Sequence, residues 1–113
     1  MSDSLILVAM NAERDALRRR LIPQAFWTHS RLGISVDICG IGPGRRILIC
    51  SSFVGLASAA IATVIVAERF EVTSVILLGV GGALREDVDL GDTIIGERSF
   101  NTTRFMWVRS VMN

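Results

Sequence analysis

Tyrosine is absent from this 113-residue chain, and histidine (1), cysteine (2) and proline (2) are scarce. The single histidine, His29, stands beside Trp27 with no partner for a catalytic triad or a metal site near it, so a surface or packing role is expected. No His/Cys/Asp/Glu spacing fits a metal centre. Cys39 and Cys50 both lie inside apolar, strand-like runs, which suits buried free thiols, with a disulfide between them as the lesser reading. Neither has the cationic neighbours of a reactive thiol. An excess of charge is also missing, since the formal net charge is +1. That gives no electrostatic case for nucleic acid or an anionic membrane. The basic runs are local, Arg18-Arg19-Arg20 and Arg45-Arg46. Charge or glycine breaks every apolar run before transmembrane length. The start of the sequence has no basic segment leading to an apolar stretch with a cleavage site, so a cytoplasmic protein is expected. In such a protein the Asn101-Thr102-Thr103 glycosylation pattern carries no meaning.

Half of the residues are hydrophobic, enough for one core. Leu5 to Ala9 is a continuous apolar run, as in a strand covered on both faces. Asn11 is a candidate N-cap for a helix over Ala12–Leu21 that Pro23 ends. Its arginines Arg14 and Arg18 share one face, and the Arg18-Arg19-Arg20 run is expected to be solvated. Phe26–Ser30 and Gly33–Cys39 read as strands, Gly40 to Gly44 as a turn, and Arg46–Ser51 as the return strand of a hairpin. Gly55 opens a helix over Leu56–Phe70 whose alanines permit close packing on a sheet. Val75–Leu78 reads as a second doubly buried strand, ending in Gly79-Val80-Gly81-Gly82. Leu84–Leu90 is a charged loop, and Thr93–Gly96 another strand. The order predicts a layered α/β sheet with parallel neighbours.

The chemistry-bearing features are few. Glu13 falls in the first turn after the first strand, at the sheet edge where open α/β proteins bind ligands. Acids in a first turn also stabilise the helix dipole, and position alone favours that explanation. Gly40-Ile41-Gly42-Pro43-Gly44 lies between two strands and lacks the strand-to-helix context of a dinucleotide fingerprint. Gly79-Val80-Gly81-Gly82 follows a strand. Its glycines serve equally as a tight strand exit or as a place where backbone N–H groups approach a ligand.

Three segments together are more specific. Ala9-Met10-Asn11-Ala12-Glu13 resembles the A-M-x-x-E segment of the methylthioadenosine/S-adenosylhomocysteine nucleosidases, within the nucleoside phosphorylase/nucleosidase superfamily. Residues 52–60 are similar to that family's S-G-x-G-x-x-x-A-A turn into a helix. Residues 75–84 resemble its next strand and G-[ST]-x-G exit, and Leu90-Gly91-Asp92-Thr93-Ile94-Ile95 its x-G-D strand. The phosphorylases' G-D-P-x-R phosphate segment is not seen, which favours hydrolysis.

The resemblance implies a three-layer α/β/α fold with a mixed, mostly parallel central sheet. Residues 1–97 would form the N-terminal half of such a domain, and 98–113 an unmatched tail. It implies cleavage of the N-glycosidic bond of a purine nucleoside, with no metal or organic cofactor. Glu13 would orient or activate the attacking water. Ala9, Met10 and Val54 would flank the nucleoside, and Val80, Gly81 and Gly82 would line the base and ribose pocket. Expected partners are this small molecule and, as homo-oligomer, further copies of the chain, not nucleic acid or membrane. The sequence departs from the family at Phe53, which replaces a glycine, and at Val80, which replaces Ser/Thr. It contains neither the M-E-x-E ribose-binding segment nor the S-D-x-x-D aspartate that protonates the purine. This chain alone is therefore expected to be nearly inactive. The alternative is a non-catalytic nucleoside-binding or remnant module on the same scaffold.

Overall fold

The computed structural model describes residues 2–52, 54–82 and 84–98, and the backbone of 110–112. The chain divides into two compact units, residues 1–79 and 80–113.

The first unit is a five-stranded sheet with two helices. Its strands are β1 (Ser2–Val8), β2 (Ala25–Thr28), β3 (Ser35–Gly42), β4 (Arg45–Ser51) and β5 (Val72–Leu77). Helix α1 is Asn11–Arg18 and α2 is Leu56–Arg69. The strand order is β2-β3-β4-β1-β5. β1 runs parallel to both β4 and β5, while β2/β3 and β3/β4 are antiparallel. The architecture is thus α/β with a mixed sheet, its parallel part formed by β4, β1 and β5. The expected hairpin is β3–β4, but β3 continues through Gly42, and Pro43-Gly44 alone makes the turn. Proline presets φ there, and Gly44 takes φ +68, which disfavours a side chain.

Side chains alternate across strands, so each strand feeds both faces. Leu5, Leu7, Val36, Leu48 and Cys50 project to one face and meet Ala62, Val66 and Phe70 of the α2 region. Burial of each large aliphatic side chain here is worth about 1.5–3 kcal/mol. Of the alanines expected to pack on the sheet, Ala62 is buried and Ala59 partly so, whereas Ala57, Ala60 and Ala67 are exposed. Val8, Asp37, Cys39 and Ile49 belong to the opposite face, where α1 lies. Arg18 of α1 reaches Asp37, and the Leu21 carbonyl after α1 accepts from Cys39 Sγ at 3.7 Å.

Several expectations are corrected. The N-cap of α1 is Met10 and Asn11 is already helical, because the Glu13 carboxylate reaches back to the residues before the helix. α1 ends at Arg18, well before Pro23. The chain turns out of it with Arg20 N–H and Leu21 N–H both donating to the Leu17 carbonyl. Arg18 is only partly solvated: its guanidinium grips Asp37 through Nε (2.5 Å) and Nη2 (2.7 Å). β5 is not doubly buried. It is the outer strand of the sheet, and Val75, Ile76 and Leu77 are each at least half exposed.

Two buried carboxylates brace the sheet. Asp3 accepts from Arg46 Nε (2.8 Å), Arg46 Nη2 (2.9 Å) and Glu71 N–H (3.2 Å). It faces Arg46 directly across the β1–β4 pairing. Arg46 holds the Asp3 carboxyl below its ordinary value, outweighing the opposing effect of burial. Asp37, 1% exposed, accepts from Arg18 Nε and Nη2.

In the second unit, β6 (Thr93–Ile95) pairs antiparallel with β7 (Ser110–Met112). Asp89 N–H donates to the Asp92 carboxylate at 2.9 Å, and Arg85 pairs with Asp87. The aperiodic tail expected from residue 98 falls almost wholly outside the described residues, as does Phe53.

Candidate functional site

Because β1, β4 and β5 are parallel, their C-terminal ends share one edge of the sheet, with Val8 opposite Ser51 and Leu7 opposite Leu77. Ligands of open α/β sheets bind outside that edge. Three connections leave it: Ala9-Met10 into α1, the one that begins at Ser52 and enters α2 through Val54-Gly55, and Leu78-Gly79 out of the first unit. Backbone bonds lash them to β1. Ser52 N–H donates to the Val8 carbonyl at 2.8 Å and Leu78 N–H to the Leu7 carbonyl at 3.0 Å. Gly55 caps α2 with φ +118, a conformation that favours glycine and lets the chain turn sharply off the edge.

Glu13 is the carboxylate at this edge. It is the third residue of α1 and half-buried. Its Oε1 accepts from Ala9 N–H (3.1 Å) and Met10 N–H (2.9 Å), two donors that the helix start leaves unpaired. Its Oε2 faces Gly79, where an added Cβ would stand 3.2 Å away. One oxygen is thus fixed by backbone and the other lies beside a residue without a side chain. Such a carboxylate can accept a proton from water in a defined direction.

The structure therefore brings Ala9, Met10 and Glu13 together. Met10 is 44% exposed, with its side chain available at the edge. Val54, 77% exposed, sits in the connection into α2. Val80, Gly81 and Gly82 open the second unit and are exposed. Gly79 belongs to the strand-exit glycine cluster that the sequence offers as a ligand approach, but not to the pocket residues that the resemblance implies. Its signal was the strand-exit glycine pattern, which does not say which glycine meets which side chain.

The other reactive groups are engaged elsewhere. Asp3 lies at the N-terminal end of β1, at the opposite edge from Glu13, and Asp37 is under α1; both are bound to arginine. Cys39 and Cys50 are free thiols, and burial pushes both upward, Cys50 to about 11. His29 Nδ1 accepts from the backbone of Arg31 and Leu32, and its ring meets Trp27 edge-on. Among the described residues no cluster of three His, Cys, Asp or Glu could hold a metal. No described helix is long and apolar enough to cross a membrane.

A family model, "Phosphorylase superfamily", matches residues 4–109. The chain belongs to the phosphorylase superfamily. It is 28% identical over 111 residues to the 5'-methylthioadenosine/S-adenosylhomocysteine nucleosidase of Baumannia cicadellinicola subsp. Homalodisca coagulata, covering 95% of this chain and 47% of that protein. Solved structures share its fold. The nucleosidase of Neisseria meningitidis, in complex with methylthio-immucillin-A, superposes with a TM-score of 0.68 at 21% identity, over 96% of this chain and 48% of its own. That of Colwellia psychrerythraea, in complex with adenine, gives 0.65 at 21%, over 91% and 44%. The S-adenosylhomocysteine nucleosidase of Streptococcus pyogenes, in complex with 5-methylthiotubericidin, gives 0.65 at 20%, over 85% and 42%. The phosphorylase superfamily chain described here spans about half the length of these relatives.

Proposed function

We propose that this chain serves the hydrolysis of the N-glycosidic bond of a 5′-modified purine nucleoside. The observation that supports it is the Glu13 carboxylate at the C-terminal edge of the parallel strands. One oxygen is held by Ala9 and Met10 N–H and the other is left for water. In this reading Glu13 takes a proton as water attacks C1′ of the ribose. The C1′–N bond breaks with its electron pair passing to the purine. The ribosyl centre gains positive charge on the way, and a nearby carboxylate offsets it. Ala9, Met10 and Val54 flank the nucleoside, and Val80, Gly81 and Gly82 are the residues that the family resemblance assigns to its base and ribose. The second proton, to the leaving purine, needs an acid that these residues do not supply. The 113-residue chain alone is accordingly expected to turn over slowly, since general acid catalysis contributes about 10²–10⁴-fold.

Adenine release from methylthioadenosine by the purified chain tests this. Release above the uncatalysed rate that depends on Glu13 is expected, and turnover equal to that of a full-length nucleosidase would refute the incomplete-site reading. Val80, at a position where the family resemblance places Ser/Thr, favours a second reading as a nucleoside-binding module without catalysis. Binding with no release at all would select it.

A homo-oligomer is part of the proposal. The outer strand β5 carries Val75, Ile76 and Leu77 exposed, and α2 carries Leu56, Ile61 and Val64 exposed. Exposed strand edges and apolar faces favour association. Light scattering is expected to give a mass above one chain; a monomer at high concentration would count against it.

A further inference from the structure

We infer that Gly79 is a positioning residue: its missing side chain sets where the free oxygen of Glu13 points. This deepens the hydrolase reading and rests on it for what Glu13 does. Glycine at 79 is not demanded by the backbone, because Gly79 is not among the glycines with positive φ. Nor is it demanded by general crowding. Among the described residues, a Cβ built there meets one atom within 4 Å, Glu13 Oε2 at 3.2 Å. Among the described residues, what a methyl at 79 would disturb is therefore that oxygen.

The disturbance is specific because Glu13 cannot retreat freely. Its Oε1 is pinned by Ala9 N–H at 3.1 Å and Met10 N–H at 2.9 Å. A methyl at 79 needs Oε2 to give by a few tenths of an ångström. A planar carboxylate transmits that movement to Oε1, stretching or bending the two backbone hydrogen bonds. Gly79 itself is fixed against β1, since the preceding residue, Leu78, donates its N–H to the Leu7 carbonyl. The ends of β1 and β5 and the start of α1 thus form a closed arrangement. In it Oε1 is held by the β1–α1 turn, and Oε2 is bounded by the residue that leaves β5. Water recruited by Glu13 would meet a carboxylate aimed by two elements of the sheet rather than by its own rotamer.

The test uses the full 113-residue chain and reads the amide proton resonances of Ala9 and Met10 by NMR. Four proteins are compared: wild type, Gly79→Ala, Glu13→Ala and the double variant. Gly79→Ala is expected to move both resonances in the wild-type background and to leave them unmoved once Glu13 is alanine. Its loss in thermal midpoint should likewise vanish in that background. Should Gly79→Ala fail to fold, the double variant is expected to fold as well as Glu13→Ala. Equal shifts in both backgrounds, no shift in either, or a double variant that also fails to fold overturns the inference. Since the readout needs no turnover, an inactive chain refutes the hydrolase reading while this test still decides the role of Gly79.

Discussion

Glu13 holds two jobs that one substitution separates. As a cap, its Oε1 satisfies two backbone N–H groups at the start of an eight-residue helix. A helix that short is not stable by itself, so its start depends on such contacts. Replacing Glu13 by alanine removes both acceptor bonds and the favourable charge at the helix N-terminus. Caps are worth about 0.5–2 kcal/mol and the charge about 0.3–1 kcal/mol. The sum is about 1–3 kcal/mol, a loss of roughly 4–20 °C in midpoint for a domain of this size. Glutamine keeps an oxygen acceptor at Oε1 and loses only the charge, so Glu13→Gln should cost about 0.3–1 kcal/mol. The proposed chemistry ranks the two variants differently. Glutamine cannot take a proton from water, so adenine release should fall about 10²–10⁴-fold in Gln and Ala alike. Urea denaturation of the three proteins measures the first effect, and adenine release the second. If Gln destabilises as much as Ala, the backbone clamp on Oε1 is wrong. If Glu13→Gln releases adenine at the wild-type rate, the role with water is wrong.

Other expectations follow from the buried ion pairs and thiols. Asp3→Ala removes the acceptor of Arg46; allowing for the 30% exposure of the Arg46 side chain, it should cost about 2–3 kcal/mol by urea denaturation. A double replacement by apolar residues of similar volume should recover most of that loss. Arg46 lowers the Asp3 carboxyl, so its stabilisation is full above the ordinary value of 3.8. It is lost as pH falls through the lower folded value, and Asp3→Asn should flatten that part of the stability–pH curve. Arg18→Ala strands Asp37; allowing for the 35% exposure of the Arg18 side chain, the cost should be about 2–3 kcal/mol, and Arg18→Lys should not restore it. Arg19→Ala and Arg20→Ala, on exposed positions, should stay within about 0.5 kcal/mol of wild type. Cys50, raised to about 11 by burial, should resist iodoacetamide at pH 8 until urea exposes it, and rapid labelling of the folded chain would contradict its burial.

The sequence by itself determined the elements and their kinds. The apolar run Leu5–Ala9, the turn residues Pro43-Gly44 and the helix opening at Gly55 each carry a local physical signal: burial, a preset φ, a positive φ. These are properties of a few adjacent residues, so they are legible before folding. The order of elements and the motif resemblance likewise pointed to the superfamily and to Glu13. What the sequence could not decide depends on partners distant along the chain. Nothing near Arg18 says that Asp37, nineteen residues on, will take its guanidinium as a partner. Nothing in Val75–Leu78 says that β5 will lie at the edge of the described sheet, since an apolar strand reads the same with or without a neighbour. The helix start was misread for a similar reason. Asn11 is a good cap by type, yet the carboxylate three residues inside the helix does that work from Met10. Most consequential is the pairing of Glu13 with Gly79. A glycine at a strand exit is ambiguous in sequence, because it can serve conformation, packing or a ligand. Only the parallel register of β1 and β5, which brings the two ends of that edge together, shows that the open space at Gly79 belongs to one carboxylate oxygen.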